Sequence, residues 1–250
     1  AARDRIVAMK TTSLLSRAAL AALLAGWIVA PVGQAGVIIG TFGEWDGSEV
    51  VGTWGPFSSG HTPTYGQTFA VNDPSATTLA TVRFKLEYTS GVPLSFEAYV
   101  YEWSPSGVSG NVVGPRLGVS SPMGIQAGNG FQAVEVSTGN VFLDVGVQYM
   151  VFLSTVGYDL SNSGDGVHWG YIQAGAQDEP QKSVAGRFGY NFGEFSSDWS
   201  DPDYWVLPGG SQGVDDLAFE LVLVPEPQMV GIITALGLLG FGWMRRRGVR

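Results

Sequence analysis

The sequence predicts an all-β protein: a single jelly-roll-like β-sandwich between an N-terminal signal peptide and a C-terminal membrane segment. Three observations point there. Through the middle of the chain, short β-type runs alternate with turn formers, and no segment sustains an amphipathic helical period. Glycine supplies 36 of the 250 residues, while aromatics at 12% and hydrophobics at 45% are too abundant for a disordered chain. Charged residues make up only 14%, well below the usual share of about 25%, and two terminal stretches are apolar and uncharged. The absence of cysteine excludes a disulfide scaffold, a Cys-ligated metal site and a cysteine nucleophile.

Residues 1–35 read as a secretory signal peptide. Lys10 and Arg17 precede a continuous apolar run from Ala18 to Ala30, followed by Pro31, Val32, Gly33, Gln34 and Ala35. Pro31 ends the apolar helix because it lacks an N–H, and small Gly33 and Ala35 fit the narrow subsites of signal peptidase. Cleavage is expected after Ala35. Either Met9 is the natural start or the preceding octapeptide lengthens the basic region.

Residues 36–224 form the expected sandwich. The strand candidates are Val37 to Phe42, Tyr65 to Val71, Leu79 to Tyr88, Leu94 to Trp103, Phe131 to Val136, Gln148 to Thr155, Val167 to Ile172, Arg187 to Phe192 and Leu217 to Val224. The clearest alternation sets Leu94, Phe96, Ala98 and Val100 against Ser95, Glu97, Tyr99 and Tyr101, as on a strand with one face in a core and one partly solvated. Gly55 to Gly60, Ser104 to Gly107 and Asn129-Gly130 are turn formers. Strand number and size suit a jelly roll, with no fixed-period repeat and no interdomain linker.

Residues 225–250 form a second address. Met229 to Met244 carries no charge and is followed at once by Arg245, Arg246 and Arg247. Its 16 residues reach about 24 Å as a helix, short of a hydrocarbon layer of about 30 Å. Snorkelling arginines and Trp243 at the interface let such a segment span by thinning the bilayer locally. The arginine cluster belongs on the cytoplasmic side, which places the preceding chain outside, as the signal peptide also demands. Just before the span, Pro225-Glu226-Pro227 imposes an extended backbone lacking two N–H donors, which cannot be absorbed into a strand or a helix.

Pro225-Glu226-Pro227, the Gly/Leu-rich span and Arg245-Arg246-Arg247, in that order, resemble the C-terminal sorting signal of the PEP-CTERM proteins. The resemblance covers the last 26 residues only. It implies export across the inner membrane of a Gram-negative bacterium, transient retention there by a sorting helix, and cleavage by exosortase, a membrane-embedded cysteine protease. It further implies a place at the cell surface or in the extracellular matrix, in association with exopolysaccharide and biofilm.

Within 36–224, twenty carboxylates face five cations: Arg83, Lys85, Arg116, Lys182 and Arg187. A field of that sign repels nucleic acid and anionic lipid, so nucleic acid is not an expected partner, while divalent cations are attracted.

The chemistry-bearing residues are few. His61 and His168 lie in no metal-ligand or nucleophile spacing and read as loop or surface histidines. No Gly-x-Ser-x-Gly or phosphate-binding loop is present. Glu97 and Glu102, an odd number of residues apart on one strand, fall on opposite faces and make no glycosidase pair. Asp159, Ser161, Ser163 and Asp165, with Gly164 at the turn, mimic the alternate oxygens of a calcium loop. The twelfth position, however, is Gly170 where a bidentate glutamate is expected. Calcium is therefore the one cofactor to test, against a plain polar turn. Asp198, Asp201 and Asp203, with Asp215 and Asp216, form a second acidic cluster.

Aromatics are the stronger signal. Trp45, Trp54, Phe57 and Tyr65 lie early, and Trp199, Tyr204 and Trp205 sit in an Asp/Pro/Ser-rich stretch. Exposed on loops, such rings stack on sugar faces while neighbouring carboxylates accept hydroxyl hydrogens. Buried, they fill the sandwich interior, as expected for Trp103. The expected function is non-catalytic adhesion to, or organisation of, polysaccharide. The alternative is a secreted carbohydrate-active enzyme with facing carboxylates in a jelly-roll groove.

Overall fold

The computed structural model describes residues 36–89, 93–106, 109–158, 166–172, 186–207 and 216–225. In chain order the strands are β1 (Val37–Gly40), β2 (Val50–Trp54), β3 (Thr64–Ala70), β4 (Thr78–Glu87), β5 (Leu94–Ser106), β6 (Ser109–Val119) and β7 (Met123–Ile125). They continue as β8 (Gln132–Phe142), β9 (Gln148–Ser154), β10 (Val167–Ile172), β11 (Phe188–Asn191), β12 (Trp205–Val206), β13 (Asp216–Leu217) and β14 (Phe219–Val224). Helix among the described residues is confined to short 3-10 turns at Phe57–Ser59, Ser196–Ser200 and Pro202–Tyr204. No described helix is long and apolar enough to cross a membrane. Met229 to Met244 lies outside the described residues, as do residues 1–35.

The strands form two antiparallel sheets packed as a sandwich. In the first, β4 is central: β8 lines one edge, and the other edge is taken by β14 and then, at the C-terminal end, by β10. β1 extends this sheet beyond β14, and β2 extends it beyond β10. In the second sheet the order is β12-β11-β3-β9-β5-β6, with β7 beside the start of β5. Consecutive strands repeatedly cross between sheets, giving the quartets β1-β14-β4-β8 and β3-β9-β5-β6.

The interior follows from side-chain parity. Leu94, Phe96, Ala98 and Val100 of β5 all point into the core, as their alternation predicts. They face Val82, Phe84 and Leu86 of β4 and Phe219, Leu221 and Leu223 of β14 across the gap. Parity in β4 changes between Leu79 and Val82, because Ala80 is skipped in register with both β14 and β8. Trp169 anchors one end of the core, with Trp54, Tyr65 and Phe84 at centroid distances of 5.3, 5.7 and 4.8 Å. Rings of this size bury about 150–250 Å² each, which makes them the largest apolar contributions to the core.

A buried side-chain amide reaches across the interior. Gln67, on the inward parity of β3, is fully buried. Its Nε2 donates to Asp216 Oδ1 at 2.5 Å, and its Oε1 accepts from the Leu217 backbone N–H at 3.0 Å. The amide thereby ties the second sheet to β13 of the first.

All nine expected strands form, with three adjustments. The strand expected over Phe131 to Val136 runs on to Phe142. The strand expected from Leu217 is divided at Ala218, β13 pairing with β10 and β14 with β1 and β4. Trp103 is buried, but its parity places it on the outer face of the second sheet rather than in the interior. β2, β6, β7 and β12 were not expected from the pattern.

Candidate functional site on the outer face of the second sheet

Tyr99 and Tyr101 of β5 and Phe152 of β9 project from the second sheet on the side away from the core. Their rings lie nearly parallel: Phe152 is stacked with Tyr99 at 5.4 Å and with Tyr101 at 5.9 Å. Trp103 continues the row and lies across Gly110 of β6, where a Cβ would fall 2.5 Å from the indole Cζ2. A β-residue other than glycine at 110 would displace that indole.

The segment from Asn191 to Trp205 covers this row. It leaves β11 and returns in β12, which pairs with β11 through Tyr190–Val206 and Asn191–Trp205. Side chains fasten it to its own backbone. Buried Asn191 accepts from Gly193 N at 2.8 Å and donates to Asp198 O at 3.2 Å. Asp198 accepts from Phe195 N at 3.0 Å and from Ser197 Oγ at 3.2 Å, and Asp201 accepts from Asp203 N at 3.0 Å. Gly193 is required at the turn, since a Cβ there would lie 2.3 Å from Asp198 Cβ. Asn111 of β6 clamps the far side by donating to Ser200 O at 3.0 Å.

These bonds press two indoles onto the sheet. Trp199 packs on Tyr99 at 4.7 Å and Phe152 at 4.9 Å, and Trp205 packs on Trp103 at 5.2 Å and Phe152 at 5.6 Å. Trp199 and Trp205 are 3% and 2% exposed. Burial on that scale is worth up to about 4–6 kcal/mol per indole. The rings expected as sugar-stacking platforms therefore form a second core, with their faces already occupied by other rings. The Trp205 N–H donates to Trp199 O at 2.7 Å. The Trp199 N–H finds no acceptor among the described residues. Covering the sheet also desolvates Tyr99 and Tyr101, whose hydroxyl pKa values are both raised, that of Tyr99 further by the carboxylate of Glu97, which accepts its hydrogen bond at 2.5 Å.

Other rings take the exposed position. Phe192 and Phe195 are 42% and 62% exposed, and Tyr204, half-buried, packs beside Phe192 at 5.5 Å. Glu194 and Asp203, next to these rings in sequence, are exposed. Of the three aromatics expected to bind sugars, only Tyr204 keeps part of its surface exposed. Phe192 and Phe195 had a visible signal in the Phe-Gly-Glu-Phe run before Ser196-Ser197, where loop formers flank the rings.

The remaining candidates are dispersed. Asp159, Ser161, Ser163 and Asp165 lie outside the described residues, as does Asp215. Asp198 and Asp201 cap the turns, and Asp216 is in the interior. Among the described residues no cluster of His, Asp and Glu could hold a metal ion. His168 is half-exposed on β10, 3.8 Å from Glu87 Oε2. Trp54 and Tyr65 belong to the core, Phe57 is exposed, and Trp45 sits edge-on to Phe131 at 4.8 Å. Of the sorting motif, Pro225 is described, directly after β14; Glu226, Pro227, Arg245, Arg246 and Arg247 lie outside the described residues. No protein-family model and no curated protein matches the chain.

Proposed function

We propose that this chain is an exported, non-catalytic surface or matrix protein whose jelly-roll domain binds polysaccharide through Phe192, Phe195 and Tyr204. The observation that carries the reading is the covering segment itself: its hydrogen bonds and two buried indoles hold two phenylalanines out in water. Exposed aromatic rings gathered on one short segment mark a candidate interaction site. Flat rings flanked by carboxylates suit the apolar faces and hydroxyl rims of sugars. Asp198 and Asp201 are engaged with backbone N–H groups, an arrangement that favours binding over general acid catalysis.

Two further features support the broader reading. The quartets β1-β14-β4-β8 and β3-β9-β5-β6 have the double Greek-key order of a jelly roll. β14 stays paired up to Val224, immediately before Pro225, and Val37, two residues after the expected signal cleavage, is the register partner of Leu223. Both addresses thus attach to one strand pair, so a sorting helix from Met229 would hold the sandwich close to the membrane until exosortase cuts. A glycan array probed with the full chain tests the binding reading. Retention of signal on any polysaccharide, lost in Phe195→Ala, is expected, and silence on every glycan overturns it.

A further inference from the structure

We infer that the exposed rings of this segment prefer a glycan bearing free amines, a chain of partly de-N-acetylated amino sugars, over neutral or uronate-containing polymers. This rests on the glycan-binding reading above and adds the ligand's chemical class. The ground is charge. Residues 191–207 contain Glu194, Asp198, Asp201 and Asp203 and no Lys, Arg or His. The outer face of the second sheet beneath adds Glu97, already bonded to the Tyr99 hydroxyl, and the cation Arg116, with Arg187 directly before β11. Arg116 is exposed, and its charge acts on the hydroxyls of Tyr99 and Tyr101.

Two of the four loop carboxylates are committed to turns, Asp198 to Phe195 N and Ser197 Oγ, and Asp201 to Asp203 N. Glu194 and Asp203 remain exposed, each adjacent in sequence to one of these rings. A sugar lying on Phe195 gains stacking whatever its substituents. An ammonium group on that sugar gains ion pairing with Glu194 or Asp203 and attraction to the face of the phenyl ring. A uronate brings like charge to a surface with no compensating cation on the loop, and is rejected. Each exposed ion pair contributes about threefold, so two favour the amine polymer by about tenfold at low salt.

The test measures binding of the full chain, in mild detergent, to immobilised chitosan oligosaccharide, its fully N-acetylated counterpart and oligogalacturonate. At about 50 mM salt chitosan is expected to bind about tenfold more tightly than the acetylated chain, and at about 500 mM that advantage should largely vanish. The double variant Glu194→Gln, Asp203→Asn should remove the advantage, so that chitosan and the acetylated chain bind it with equal affinity. Phe195→Ala should weaken both sugars alike. Asp46→Asn with Asp73→Asn, which removes two exposed charges elsewhere, should change neither. Equal binding of the amine and acetylated chains, or preference for oligogalacturonate, overturns the amine inference and leaves glycan binding standing. An equal loss in the Asp46/Asp73 control overturns it by assigning the preference to overall charge. Failure of all three polymers to bind overturns the amine inference, and glycan binding as a whole then falls only with silence across the array.

Discussion

Replacing Gln67 with leucine removes the polar link across the sandwich and nothing of comparable size elsewhere. The amide is fully buried, donates to Asp216 at 2.5 Å and accepts from Leu217 N at 3.0 Å. The variant leaves the Leu217 N–H without its acceptor, at a cost of about 1–3 kcal/mol, and withdraws a charge-assisted bond worth about 1.5–3 kcal/mol from Asp216. Leucine's greater transfer free energy recovers part of this, so a net loss of about 3 kcal/mol is expected. Urea unfolding of residues 36–225, followed by tryptophan fluorescence, should show the midpoint falling by about 1.5 M at a slope near 2 kcal/mol per M. Gln67→Glu supplies the control. It keeps an acceptor for Leu217 but sets a second carboxylate against Asp216, so its deficit should shrink as pH falls and one of the pair is protonated and donates. A leucine variant within about 0.5 kcal/mol of the parent, or a glutamate variant whose deficit ignores pH, would refute the reasoning.

Three other outcomes follow from the same structure. Thr78 is buried on β4 with no partner for its Oγ1 among the described residues, so Thr78→Val should raise stability by about 1 kcal/mol, read as a higher urea midpoint at unchanged slope. Gly193→Ala drives a Cβ into Asp198 and should open the turn; chymotrypsin cleavage at Phe192 and Phe195 should accelerate well before global unfolding. Burial holds the Tyr65 hydroxyl up to about 12. The unfolded chain ionises near pH 10 while the native chain keeps its proton, so stability is full below pH 10 and declines from about 10 to 12. Tyr65 accounts for about 2–3 kcal/mol of that loss, and Tyr65→Phe should flatten the decline in urea midpoints measured across that range.

Strand existence was legible because alternation is local. Leu94 to Val100 announces its inward face by period alone, and the addresses expected at the two ends are read from runs of hydrophobicity and charge in the same local way. β6 was not legible, since Gly110, Gly114, Pro115 and Gly118 give it little strand propensity; it forms because β5 offers a partner. The candidate site was read only in part. Composition marked the Asp/Pro/Ser-rich stretch around Trp199 and Trp205, but which of its rings meet water depends on what lies beneath them. Trp199 and Trp205 are buried because β5 and β9, some 50 to 100 residues earlier in the chain, present Tyr99, Trp103 and Phe152 under them. Phe192 and Phe195 are exposed because the turn at Gly193 and Asp198 faces them outward. The sequence by itself determined the all-β pattern. Tertiary structure alone decided which aromatics are core and which are surface, because burial is set by segments distant in sequence, whereas periodicity is set by neighbours.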